Sequence, residues 1–117
     1  MIKYEARQER FRRWMGREHF DGFLITNLTN VRYLCGFTGS NGTILMTQEE
    51  GIFLTDGRYR FQAADEVQGL PVKFAVGKSL PRQLKPLIPA RIPFRLGFES
   101  DVVTVVQHGF LLQELRS

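Results

Sequence analysis

The chain has 117 residues, enough for one domain with its own core, and 43% of them are hydrophobic, the usual range for a globular chain. Sixteen Lys and Arg against twelve Asp and Glu give a net charge of +4, which raises the question of nucleic acid. No apolar run approaches the roughly 18 residues of a membrane span, the charged start Met1 to Arg17 lacks the apolar centre of a secretory signal, and the single Cys35 excludes an internal disulfide, so the expected setting is the cytoplasm, with no membrane partner.

Tyr4 to Glu18 reads as an amphipathic helix, because Tyr4, Phe11, Trp14 and Met15 recur at the helical period. Arg7, Arg10, Arg13 and Arg17 fall on its other faces, interleaved with Glu5, Glu9 and Glu18, as on a solvated face with internal ion pairs. Gly22 to Asn27 is a short apolar run, consistent with a strand buried on both sides. Asn30 to Cys35 forms a short helix with Val31 and Leu34 inward, stopped by Gly36. A glycine-rich loop runs from Gly36 to Gly42. Thr43 to Thr47 and Ile52 to Thr55 are the strands of a hairpin that turns on Gln48-Glu49-Glu50-Gly51.

Asp56-Gly57 breaks the second strand, and Tyr59 to Glu66 is helical, with Phe61, Ala64 and Val67 on one face. Val72 to Val76 alternates as a strand with one wetter face. Leu80 to Leu87 is a short helix with Pro81 in its first turn, Phe94 to Phe98 is the last strand, and Asp101 to Ser117 is a closing helix with Val106, Phe110, Leu111 and Leu115 inward. Strands alternating with helices predict the α/β class, and the hairpin makes the sheet mixed instead of purely parallel.

No catalytic set stands out. Gly39-Ser40-Asn41-Gly42 lacks the first glycine of a nucleophile elbow, since position 38 is Thr38, and a strand follows where the elbow needs a helix. Gly77-Lys78-Ser79 lacks the leading glycine of a phosphate-binding loop, since position 72 is Val72. His19 and His108 are far apart, and Asp56, Asp65, Glu66, Glu99 and Asp101 are scattered, so no metal-ligand spacing is present. Asp56 is better suited to cap the helix that follows it. Cys35 reads as a small buried hydrophobe.

Three pieces, in order, resemble the N-terminal domain of the Xaa-Pro aminopeptidase, prolidase and creatinase family. They are Thr26-Asn27-Leu28-Thr29-Asn30-Val31-Arg32-Tyr33-Leu34, Gly36-Phe37-Thr38-Gly39-Ser40-Asn41-Gly42 and Leu54-Thr55-Asp56-Gly57-Arg58-Tyr59. Phe20-Asp21-Gly22, Leu96-Gly97-Phe98-Glu99 and Val103-Thr104 fit as well, so the resemblance spans nearly the whole chain. It implies a single domain over residues 1–117, a mixed β-sheet with helices on both faces. It also implies a metal-dependent hydrolase whose two divalent metal ions sit on a C-terminal catalytic domain outside this sequence. Residues 1–117 then carry no catalytic or metal-binding residue, need no cofactor and are inactive alone.

The implied role is dimer assembly and control of access for a proline-containing peptide, with the catalytic domain and a second subunit as partners. The loop supplies the candidate substrate-adjacent residues Phe37, Gly39, Ser40 and Asn41, with Arg58 and Tyr59 as support from behind. Phe37 is either an apolar wall beside the peptide or a core residue packed against the short helix. The rival readings are a stand-alone binding module, for nucleic acid through the Arg-rich first helix, and a creatinase-like domain that serves no peptidase.

Overall fold

The structure is a computed structural model that describes residues 2–74, 84–88 and 94–99. Helix α1 (Tyr4–Arg17) leads through strand β1 (Gly22–Ile25) and helix α2 (Leu28–Cys35) into the hairpin strands β2 (Thr43–Thr47) and β3 (Gly51–Thr55). Helix α3 (Arg60–Glu66) and strands β4 (Val72–Phe74) and β5 (Leu96–Phe98) follow, with short 3-10 turns at Gly57–Tyr59 and Lys85–Leu87. The five strands lie in the order β4-β3-β2-β1-β5. The β1/β2 and β2/β3 pairs are antiparallel, while β1/β5 and β3/β4 are parallel, so the sheet is mixed, as the hairpin in the sequence predicts.

Burial on both faces explains why the inner strands are apolar without alternation. Ile25, Ile44, Met46 and Phe53 face the layer of α1, α2 and α3, where they meet Met15, Val31, Leu34 and Ala63. Leu24, Leu45, Ile52 and Leu54 face the opposite way and pack on Leu84, with Leu87 and Ile88 beside it. The edge strand β4 is less enclosed, with Lys73 exposed between half-buried Val72 and Phe74.

The expected stripe on α1 is present. Met15 is fully buried, and Phe11 and Trp14 join Phe20 and Phe23 in a cluster with ring centroids 5.4 to 5.8 Å apart. Gly97 of β5 lies under this cluster, and a Cβ there would sit 2.6 Å from the Phe23 ring. Gln8 is an addition that the apolar period did not show. It is 4% exposed and donates to the carbonyls of Leu34 (3.0 Å) and Gln68 (2.9 Å). One of these belongs to the last turn of α2, where carbonyls lack a partner within the helix. Two arginines of α1 also serve the fold, since Arg7 donates to the Tyr33 carbonyl at 2.8 Å and Arg12 to that of Thr47 at 2.9 Å.

Two expectations about helices need correction. α2 begins at Leu28, two residues before the expected Asn30, because Asn27 is the cap: its Oδ1 accepts from the Thr29 and Asn30 amides at 2.9 and 3.3 Å. On α3 the inward residue is Ala63, whereas Phe61 is 86% exposed and Ala64 is exposed too. The 3-10 turn before α3 sets its phase by placing Tyr59 against the core, and Tyr59, Ala63 and Val67 then follow at intervals of four. The expected helix over Leu80 to Leu87 is described only from Leu84, where it is a 3-10 turn. Ala75 and Val76 of the expected fourth strand, the Gly77-Lys78-Ser79 turn and the closing helix Asp101 to Ser117 lie outside the described residues.

Candidate functional site

The loop between α2 and β2 starts from a fixed point. Gly36 ends α2 at φ +91°, a left-handed conformation that glycine adopts without penalty. Phe37 then turns inward and is 1% exposed, with its ring 4.7 Å from that of Phe53 and 5.4 Å from that of Tyr59. The structure therefore places Phe37 in the core. Its neighbours are a hairpin strand and the turn before α3, and it also borders the cleft in front of the loop. Gly39 runs directly over this aromatic pair, where a Cβ would lie 2.3 Å from Phe37 Cζ and 2.8 Å from Tyr59 Cε1. The loop is thus folded down onto two rings, and its polar residues are left on the rim.

Three side-chain clamps hold that rim. The Tyr59 hydroxyl accepts from the Ser40 amide at 3.2 Å and is hydrogen-bonded to Ser40 Oγ. Asp56 accepts from the Asn41 side-chain amide through Oδ2, while Arg58 reaches the same carboxylate with Nε at 2.9 Å and Nη2 at 3.0 Å. The Arg58 backbone amide donates to Asp56 Oδ1 at 2.9 Å, so Asp56 also caps the 3-10 turn, as its position after a strand predicts. At the other end, Glu66 accepts from the Thr38 amide at 2.9 Å and the Thr38 hydroxyl at 2.7 Å, and from the Gln62 amide at 3.0 Å. Thr55 Oγ1 adds a bond to the Asn41 carbonyl.

The electrostatics follow from these clamps. The Arg58 guanidinium, then the Asn41 amide, hold the Asp56 carboxyl well below the usual carboxylate range, and Asp56 in turn raises Arg58. The hydrogen bond to Ser40 lowers the Tyr59 phenol. Burial works to raise Glu66, but the hydrogen bonds from Thr38 and Gln62, helped by the charge of Arg32, leave it lowered. Both carboxylates are charged at neutral pH and filled by fixed donors, so they act as fasteners. Cys35 is fully buried, and burial pushes its thiol up to about 11, which makes it a core atom and not a nucleophile.

The structure brings Gly39, Ser40 and Asn41 together with Tyr59 directly and with Arg58 through Asp56. The sequence reading missed Glu66 as the clamp on Thr38, because the partners are 28 positions apart and no local spacing marks them. A cleft of about 400 Å³ lies in front of the loop, lined by Phe37, Thr38, Gly39 and Ser40 of the loop and by Leu28, Thr29 and Arg32 of α2, which the sequence reading did not name. Among the described residues no three His, Cys, Asp or Glu side chains gather as a metal site would require.

Fold and rim together define an α/β domain whose glycine loop is tied by side-chain hydrogen bonds to the end of β3, the turn after it and α3. The chain belongs to the creatinase/prolidase N-terminal domain family, whose model matches residues 7–117. It is 38% identical over 96 residues to the uncharacterized peptidase YqhT of Bacillus subtilis, covering 82% of this chain and 27% of that protein. Among solved structures it resembles the N-terminal domain of the cytoplasmic peptidase PepQ of Mycobacterium tuberculosis, at 37% identity and a TM-score of 0.80 over 96% of this chain and 86% of that one. It also resembles an Xaa-Pro aminopeptidase of Streptococcus pyogenes, at 30% identity and a TM-score of 0.85 over 96% and 84% of the two chains. The chain spans between 12% and 27% of the length of the curated relatives it matches.

Proposed function

We propose that this chain is the non-catalytic N-terminal domain of a cytoplasmic, metal-dependent Xaa-Pro peptidase, an aminopeptidase or a dipeptidase that hydrolyses the bond before proline. Its partners are its own C-terminal catalytic domain and a second subunit, and it contributes to dimer assembly and to substrate access. The two divalent metal ions and the activated water belong to the catalytic domain. The described residues here form no site to hold such ions. This domain supplies a shaped wall beside the substrate.

The observation that carries the reading is the clamped rim. Ser40 and Asn41 are exposed, yet each is tied by its side chain to a residue after β3, Tyr59 and Asp56. An exposed loop with no binding task has no need of such ties, whereas a wall that orients a peptide gains from being rigid before the peptide arrives. Phe37, buried beneath, supports the wall from inside, and Gly39 lets the loop close over it.

The test is an assay of the purified chain with Xaa-Pro dipeptides and tripeptides in the presence of manganese. The expected result is no turnover. Hydrolysis that a chelator abolishes would contradict the non-catalytic reading.

A further inference from the structure

The outer face of α1 is sorted by charge. Lys3, Ala6, Arg10, Arg13 and Arg17 follow one another at intervals of three and four residues, so they share one line along the helix, and all five are exposed. The acidic residues stand on a different line, where Glu5 and Glu9 lead to Arg12 and Arg12 holds Glu9 at 3.2 Å. That is the one ion pair of α1 among the described residues. Arg7 and Arg12 also donate to the carbonyls of Tyr33 and Thr47. Lys3, Arg10, Arg13 and Arg17, by contrast, make no hydrogen bond or ion pair with the described residues.

We propose that this line binds the phosphate backbone of a nucleic acid duplex, without regard to sequence, through Arg10, Arg13 and Arg17. The three arginines cover about 10 Å of helix axis, a length in which one strand of a duplex carries about three phosphates. Three guanidinium groups therefore meet three phosphates. A guanidinium matches phosphate oxygens with paired hydrogen bonds and is more weakly hydrated than an ammonium, so a row of arginines suits a contact surface better than it suits a face that only keeps a chain in solution. A line of cations with no acid on it also fits a partner whose own charges are alike and regular, as phosphates are, where a protein surface mixes both signs. The net charge of +4 adds attraction at longer range. These residues face away from the sheet, and the proposal stands apart from the reading of the glycine loop.

The experiment is fluorescence anisotropy of a short labelled DNA duplex of mixed sequence, titrated with the purified chain at several salt concentrations. The expected result is binding at low salt, with the logarithm of the binding constant falling against that of the salt concentration at a slope of about −2.7, the value for three phosphates. Arg10→Gln, Arg13→Gln and Arg17→Gln should each flatten the slope by about 0.9, and the triple variant should abolish binding. Glutamine is close to arginine in helix propensity, so these variants keep the helix. Lys73→Gln removes the same charge from the exposed position on β4 and should leave the slope unchanged. No binding at low salt, a slope unmoved by the arginine variants, or one moved equally by Lys73→Gln would overturn the proposal. Polyglutamate and phosphatidylserine vesicles serve as competitors. Stronger binding of either than of the duplex would overturn it in favour of an acidic protein or a membrane surface.

Discussion

Gly39 shows how closely the rim is fitted to the core. A methyl group there has no room beside the rings of Phe37 and Tyr59, so Gly39→Ala should destabilise the chain by about 1–3 kcal/mol, the usual cost of overpacking. Urea unfolding at neutral pH measures this, and an unchanged midpoint would mean that the loop does not rest on the rings. Glu66 gives a second residue-scale prediction. Its carboxyl is held below its ordinary value of 4.5, so its contribution to stability is complete above that pH and is lost as the pH falls below it. Asp56 works in the same direction from 3.8 downward. Glu66→Gln should therefore lose less stability than the unmodified chain between neutral pH and about pH 3.5. Parallel curves of urea midpoint against pH would contradict the clamp. The family motif names Arg58 and Tyr59 as support for the loop, and the place of Asp56 after a strand marks it as a cap. Pairs such as Thr38 with Glu66 and Asn41 with Asp56 were not legible, because they are made by the return of the chain.

At the scale of elements the sequence was more informative. The inner strands announce themselves as short apolar runs, and α1 by its period, because burial on one face or two is written directly into the order of residues. What went astray was phase. α3 is seven residues long, too short for a hydrophobic period to be unambiguous, and the 3-10 turn before it rotates the buried stripe onto Tyr59, Ala63 and Val67. The consequence can be measured with two variants. Phe61→Glu, on the exposed face, should alter stability by no more than about 0.5 kcal/mol. Ala63→Leu, in a fully buried position, should cost about 1–3 kcal/mol. The opposite ranking in thermal or urea unfolding would restore the face read from the sequence. α2 teaches a related point. Asn27 and Asn30 are both acceptable caps by type, and the choice of Asn27 is settled by how β1 hands the chain over, which composition does not record.

For the whole molecule, the mixed sheet follows from its connections. The hairpin joins β2 to β3 antiparallel, while β1/β5 and β3/β4 are parallel pairs made across longer connections. Both faces of the sheet are covered as a result, by α1 to α3 on one side and by residues 84–88 on the other. This frame brings the end of α2, the start of β2 and the end of β3 to one rim, which is where the glycine loop is clamped. The family was legible from the motifs along that rim, since these stretches carry the capping, glycine and clamp residues that the fold requires. The catalytic chemistry was not legible, because on the proposed reading its residues lie on another domain.

That division of labour is tested most directly by the native mass of the protein in an extract of its source organism, detected after gel filtration with an antibody to this domain. The account predicts a species well above 13.5 kDa that co-elutes with chelator-sensitive hydrolysis of Xaa-Pro peptides. A species of 13.5 kDa, eluting apart from any such activity, would contradict it.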